Sequence, residues 1–165
     1  MSQVGAFGVN YLRTFDATTV PSLPAKLGDT GSTVEGTFIF VKAAENLTQY
    51  DWVSVKDDHT VVQMDNTEAG TKVRNFGAAQ VAASTNEYLW VWIGGPNGGG
   101  SGSGIKARFI NYTAKASVYT TATGGVCDDA SGGSFVLLPG VIGVTTVGGT
   151  AAAAEVQSVR VLSID

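Results

Sequence analysis

The chain has 165 residues, enough for a domain that buries roughly 68–70% of its unfolded surface, so its core needs no disulfide staple. Hydrophobic residues make up 44%, charged ones only 15%, and there are 22 glycines, a balance that suits short strands and tight turns and argues against long solvated helices. The net charge of −4 comes without any basic cluster, which argues against binding nucleic acid through its phosphates. No stretch approaches the ~20 apolar residues of a membrane-spanning helix, and the first residues do not read as a secretory leader. The expectation is a chain made in a cytoplasm, with no membrane partner. Cys127, the single cysteine, cannot pair within the chain and reads as a small buried residue.

Residues 1–36 differ from the rest. Phe7, Tyr11 and Phe15 are spaced through a polar stretch, and Pro21, Pro24, Gly28, Gly31 and Gly36 follow. Prolines remove backbone donors and favour an extended path, while glycines punctuate it. The expectation is an extended N-terminal arm with isolated apolar anchors and room for one short strand.

The β domain is expected over residues 37–165. Residues 37–43 alternate Phe38, Phe40 and Lys42 on one face with Ile39 and Val41 on the other. Strands are expected next at 51–56 (Trp52 opposed to Val53 and Val55), at 60–64 after the polar turn Asp57-Asp58-His59, and at 72–81 with a break near Gly77. Residues 66–70 read as a loop. In the stretch 86–95, Tyr88, Trp90 and Trp92 alternate with Leu89, Val91 and Ile93, a period-two run of aromatic and branched residues that favours a strand. Both faces of this strand are apolar, so one should face the domain core and the other must meet another segment of the chain or another subunit.

Residues 94–104 are almost all glycine and serine and read as a mobile loop. Strands are expected again at 105–112, 117–122, 134–138, 141–147 and 155–164, with 151–154 left as a loop. A faint echo relates Tyr50 to Tyr119, Asp57-Asp58 to Asp128-Asp129, Gly77 and Val81 to Gly140 and Val144, and Glu87 to Glu155. It implies two similar β units, about 42–94 and 112–164, joined by the glycine-rich loop and closing one barrel or sandwich with few open strand edges.

Signs of chemistry are weak. Asp29-Thr30-Gly31-Ser32 spells the aspartic-protease motif, but it occurs once, in a Pro- and Gly-rich stretch, and is an ordinary turn sequence. Asp57-Asp58-His59 and Asp128-Asp129 lack the further ligands of a calcium loop. His59 is the only histidine, and no Ser-His-Asp context surrounds it. The glycine-rich loop opens a strand and lacks the Gly-Lys-Ser/Thr of a phosphate-binding loop. No catalytic residue, cofactor or metal is expected.

Several segments resemble one family. Tyr50-Asp51-Trp52-Val53 is similar to a turn leading into a strand; Ala116-Ser117-Val118-Tyr119 precedes the Asp/Gly turn 128–133; Pro139-Gly140-Val141-Ile142-Gly143-Val144 and the closing 151–162, ending Val159-Arg160-Val161-Leu162, complete the pattern. From Lys42 onward, over about two thirds of the chain, this pattern resembles bacteriophage head decoration, or capsid cement, proteins. The arm and the glycine-rich loop fall outside it, and Tyr50 stands where the family has glycine. The resemblance implies an all-β, non-enzymatic protein on the capsid exterior of a virion, bound to the major capsid protein, often as a homotrimer. Phe7, Tyr11, Phe15, Tyr88, Trp90 and Trp92 are the candidate assembly interface. The alternative is a β-sandwich binding module, carbohydrate-binding or tail-associated, with Trp52, Trp90 or Trp92 as a stacking platform. A dimeric aspartic protease ranks third.

Overall fold

The computed structural model describes residues 9–18, 23–70, 75–95 and 104–158. They form an almost wholly β structure: β1 (Thr30–Thr33), β2 (Gly36–Ala43), β3 (Trp52–Val55), β4 (Thr60–Gln63), one helical turn α1 (Asn66–Gly70), β5 (Phe76–Ala79), β6 (Tyr88–Gly94), β7 (Lys106–Phe109), β8 (Ser117–Thr120), β9 (Cys127–Asp128), β10 (Leu137–Gly143) and β11 (Ala152–Ser158). The expected all-β class is what the chain adopts.

The strands close into two rings rather than one. In the first half the order is β1-β2-β4-β3-β5-β6, and β2 also pairs with β6, so β2, β4, β3, β5 and β6 return on themselves while β1 lies outside on β2. In the second half β10-β11-β7-β9-β8 is a closed barrel. The two rings share one wiring. The β2–β4 pair is parallel, as is β7–β9, and every other neighbour in both rings is antiparallel.

Interior positions correspond one by one. The first barrel buries Val41, Ala43, Leu47, Val53, Val61, Ala83, Leu89 and Val91 in one cluster. Their counterparts by strand register are Ala107, Phe109, Tyr112, Val118, Cys127, Val147, Ala154 and Val156, all buried in the second. The shift is 64 to 66 residues, as in 147 − 83 = 64, 118 − 53 = 65 and 127 − 61 = 66. Bulk is redistributed between the copies: where the first has Ala43 and Leu47 the second has Phe109 and Tyr112, and where the first has Val41 and Leu89 the second has two alanines. Interiors are close-packed, so gains at two positions require losses at others.

Several expectations need correction. The repeat is real in topology, but its anchors differ. Tyr50 corresponds to Lys115, not Tyr119; both take positive φ (71° and 66°) as third residue of a turn closed by Asp51 N donating to Thr48 O (3.1 Å) and Ala116 N to Thr113 O (3.1 Å). The second unit begins at β7, before residue 112. Residues 134–138 and 141–147 are not two strands: β10 runs through Pro139-Gly140, absorbing them in a register shift between Leu138 and Ile142. Residues 152–154 open β11, pairing in register with Phe109, Arg108 and Ala107 of β7, with Ala154 buried and Ala152 and Ala153 exposed. Residues 66–70 are one turn of helix, capped by Asp65, whose Oδ1 accepts from Thr67 N and Glu68 N at 2.8 Å. The one short strand for which residues 1–36 left room is β1, and it belongs to the sheet through its pairing with β2. The expected mobile loop and the closing Val-Arg-Val lie largely outside the described residues.

The duplication yields a test. A Cβ at Gly143 would overlap the Tyr112 ring, whereas the first barrel places Ala79 beside the smaller Leu47. Gly143→Ala should therefore destabilise the native protein by about 1–3 kcal/mol through overpacking. In a Tyr112→Leu background the same change should cost under about 0.5 kcal/mol, as for a site with room. Urea unfolding of the four members of this cycle measures the coupling.

Candidate assembly face

The two apolar faces of β6 go to different places. Leu89 and Val91 point into the first barrel with Val41 and Val53. Tyr88, Trp90 and Trp92 point outward, and the β2–β6 register sets them opposite Lys42, Phe40 and Phe38. The duplicated positions in the second barrel are polar or small: Lys106 pairs with Glu155 where Phe40 pairs with Trp90, and Arg108 pairs with Ala153 where Lys42 pairs with Tyr88. The outer aromatic layer is thus an addition to the first barrel and not a requirement of its fold.

That layer is covered by the chain's own arm. Tyr11 stacks on Phe38 with ring centroids 4.7 Å apart and 11° between planes. Phe15 meets Phe40 edge-on at 6.0 Å, and Phe40 in turn contacts Trp90 at 5.1 Å and Tyr88 at 6.0 Å. Phe15 also bridges Tyr88 through two backbone bonds, Phe15 N to Tyr88 O at 2.7 Å and Tyr88 N to Phe15 O at 2.8 Å. Val9 lies beside Gly31, next to the Trp90 ring, and Leu23 and Ala25 are partly buried against the same core cluster. Polar contacts fix the register: Thr14 Oγ1 donates to Glu87 Oε1 at 3.2 Å, and the Tyr11 hydroxyl donates to Glu35. Burial, and then the Glu35 charge and hydrogen bond, hold the Tyr11 hydroxyl above its ordinary pKa.

The six candidate interface residues are therefore placed as follows. Trp90 and Trp92 are 6% and 2% exposed, and Tyr88, Tyr11 and Phe15 are half-buried against them. Of the two alternatives that the period-two pattern leaves open for the second face of β6, the described residues show another segment of the same chain on it. Phe7 lies outside the described residues. Phe38 and Phe40, the floor on which the arm sits, were absent from the set although their period-two spacing places them on the same face. Near the arm the exposed surface mixes polar residues such as Arg13, Lys26 and Asp29 with a few apolar ones. Among the described residues the exposed large hydrophobic side chains are Leu12, Leu27, Val34 and Leu137, three of them in the arm or beside β1.

A second arrangement, unforeseen from sequence, joins the two barrels. Asp51 is fully buried, its Oδ1 accepting from Arg108 Nη1 at 2.7 Å and its Oδ2 from Gln63 Nε2 and Thr48 N, both at 2.7 Å. Around it Arg108 N donates to Tyr50 O (2.9 Å), Trp52 N to Gly125 O (3.0 Å) and Gly125 N to Met64 O (2.9 Å). Gln80 adds a reciprocal pair with the Lys106 backbone at 2.9 and 3.0 Å. Trp52 meets Phe109 edge-on at 5.8 Å. Gly125 is required twice over, for its φ of 74° and because a Cβ there would strike the Asp51 carboxylate.

The same turn serves the arm and this junction. In 48–51 and 84–87 a carboxylate at the fourth position caps the amide of the first, Asp51 on Thr48 and Glu87 on Ser84 (2.6 Å), with Tyr50 and Asn86 at positive φ. Asp51's remaining oxygen holds the second barrel; Glu87's holds Thr14 of the arm. The third such turn, 113–116, has Ala116 in that place and borrows Asp129, whose Oδ2 accepts from Thr113 N at 2.8 Å.

The residues read for chemistry take ordinary positions. Asp29 sits in a turn, its Oδ2 accepting from Lys26 N at 2.8 Å. Asp58 accepts from Thr60 N and Oγ1 (2.9 and 2.7 Å), and these two bonds hold its carboxyl below the usual range. The His59 ring lies against the Gly28 backbone. Burial, then the neighbouring Asp128 charge, push the Cys127 thiol well above its ordinary pKa, away from thiolate chemistry. Among the described residues no group of three or more His, Cys, Asp or Glu side chains is arranged to hold a metal ion, and no helix is long and apolar enough to cross a membrane. The sequence matches no protein-family model and no curated protein.

Removing one partner of a buried ion pair costs about 3–5 kcal/mol. Arg108 keeps 26% of its side chain exposed, so Asp51→Ala should fall near the low end, about 3 kcal/mol. Asp29→Asn, an exposed turn substitution, should stay within about 0.5 kcal/mol. Chemical denaturation of both variants checks the contrast.

Proposed function

We propose that this chain is a non-enzymatic structural protein that decorates a bacteriophage capsid, binding the outer surface of the major capsid protein lattice as a homotrimer and stabilising the virion. The observation that carries the reading is the arm: an irregular N-terminal segment seated by inserted rings on the outside of a closed barrel, beside exposed Leu12, Leu27 and Val34. A protein displayed at high density must attach without covalent chemistry and without pairing strand edges indiscriminately. Closed rings hide those edges except at β1, which lies outside on β2, and apolar residues beside the arm offer contact area. Support also comes from the segments that resemble cement proteins, which fall in order on β8, β9 and β10 and the turns joining them. Three modest contacts joined in one trimer gain ~10²–10⁴ in avidity over one.

The alternative as a sugar-binding module loses its platform, because stacking on a sugar needs open rings and Trp52, Trp90 and Trp92 are 0%, 6% and 2% exposed.

The test is rebinding. Purified protein mixed with capsids stripped of it should co-sediment with them, saturate in multiples of three per binding site, and raise the temperature of genome release. A protein absent from purified virions and failing to sediment with stripped capsids at micromolar concentration would contradict the proposal.

A further inference from the structure

The two barrels close the same seam in different ways. In the first, β2 and β4 pair in parallel over Lys42↔Thr60 and Ala43↔Val61, with Lys42 N donating to His59 O at 3.1 Å and Ala44 N to Val61 O at 2.9 Å. In the second, the matching strands β7 and β9 share the single pair Phe109↔Cys127. Ile110 N donates to Cys127 O at 2.9 Å, the counterpart of the Ala44 bond. The two groups that correspond to Lys42 N and His59 O turn to the first barrel instead. Arg108 N donates to Tyr50 O at 2.9 Å, and Gly125 O accepts from Trp52 N at 3.0 Å. Residues 50–52 thus bridge the seam of the second barrel.

The correspondence continues two residues upstream. Phe40 N donates to Asp29 O at 2.8 Å, and Phe40 O accepts from Gly28 N at 2.9 Å. At Lys106, the counterpart of Phe40, the Gln80 side chain holds both groups: Oε1 accepts from Lys106 N at 3.0 Å and Nε2 donates to Lys106 O at 2.9 Å. His59 and Gly125 also correspond, both with positive φ (60° and 74°), and the first lies against Gly28 as the second lies against Asp51. Each barrel therefore has the same receiving edge, and each edge is filled by chain that precedes it.

The giving side is not repeated. Asp51, Trp52 and Gln80 correspond by register to Ala116, Ser117 and Val144. Every ring pairing of the first barrel is made within it, and its interior is a cluster of its own. The interior of the second barrel instead runs on into Trp52 and Met64 of the first, with Trp52 edge-on to Phe109 at 5.8 Å.

We propose that the first barrel is a scaffold that completes the second, so that the second barrel opens while the first stays closed and the reverse order does not occur. This conformational order is independent of capsid binding.

Matched amides supply the test. Ala44 and Ile110 donate to Val61 O and Cys127 O, and Leu47 and Tyr112 donate to Ala83 O and Val147 O. In native-state hydrogen exchange of the full-length chain at low urea, Ile110 and Tyr112 should exchange about tenfold or more faster than Ala44 and Leu47, through an opening smaller than global unfolding. Val91 and Val156 are matched interior residues, both buried. Val91→Ala weakens the part that stays closed in that opening, so it should speed Ala44 and Leu47 by about tenfold and leave Ile110 and Tyr112 within about twofold. Val156→Ala and Gln80→Leu weaken interactions lost in both openings and should speed all four by about tenfold. Equal protection of the four amides in the unsubstituted protein, or an equal effect of Val91→Ala on all four, describes one cooperative unit and overturns the proposal. So does a Gln80→Leu chain whose Ile110 and Tyr112 amides exchange as in the unsubstituted protein.

Discussion

A strand with apolar side chains on both faces must be covered twice, and the architecture follows from how this chain does it. β2 and β6 turn Val41, Leu89 and Val91 into a closed barrel and Phe38, Phe40, Trp90 and Trp92 outward. The barrel disposes of the first set. The second needs the arm, and the arm's position then determines which surface of the molecule remains apolar. Tyr11 stacked on Phe38 adds ~0.5–1.5 kcal/mol beyond the area it buries. The second barrel has the same interior wiring with Lys106, Glu155 and Gln157 outside, and its outer β7–β11 face carries no aromatic layer. Duplicating a closed ring and coating one copy with aromatics gives a body in which, among the described residues, only the first barrel carries an outer aromatic layer, and the arm covers it.

The junction between the barrels follows a different logic. Its centre is a fully buried carboxylate whose two oxygens receive three donors from three segments. Such a group gives little net stability against a well-packed apolar substitute, but leaving either charge alone is costly. The geometry it enforces is specific: Gly125 must approach Asp51, and Arg108 must leave β7 on the side where Asp51 waits. That Asp51 and Glu87 occupy the same place in two related turns shows one local motif used for two purposes, one joining barrels and one fixing the arm. The free capping oxygen is what each contact exploits.

Much of the first barrel was legible from residues alone, because Phe38 to Ala43 and Tyr88 to Gly94 alternate strictly and strand pairing preserves that alternation. The outward face of β6 could be inferred; its occupant could not, since a ring seated by its own chain and one seated by a partner have the same sequence pattern. The second barrel was harder to read. β9 has only Cys127 and Asp128, too short for any period, and β10 passes through Pro139-Gly140, which read as a break. The internal repeat was misaligned because its counterparts share burial and not identity: Leu47 answers to Tyr112 and Ala43 to Phe109. The helical turn at Asn66 had a visible signal, Asp65 followed three residues later by Glu68, a pattern that caps helix starts. Asp51 and Arg108 are 57 residues apart, and only the fold brings them together.

The claim on which the rest depends is that the N-terminal arm covers the outer aromatic face in the native protein. Amide hydrogen exchange of the full-length chain addresses this directly, because Phe15 and Tyr88 donate to each other's carbonyls. The account predicts slow exchange at both amides, with Phe15 protected at least tenfold over its rate in an unstructured peptide and Tyr88 protected alongside Val91. A Phe15 amide exchanging at the unstructured rate while Val91 stays protected would contradict it.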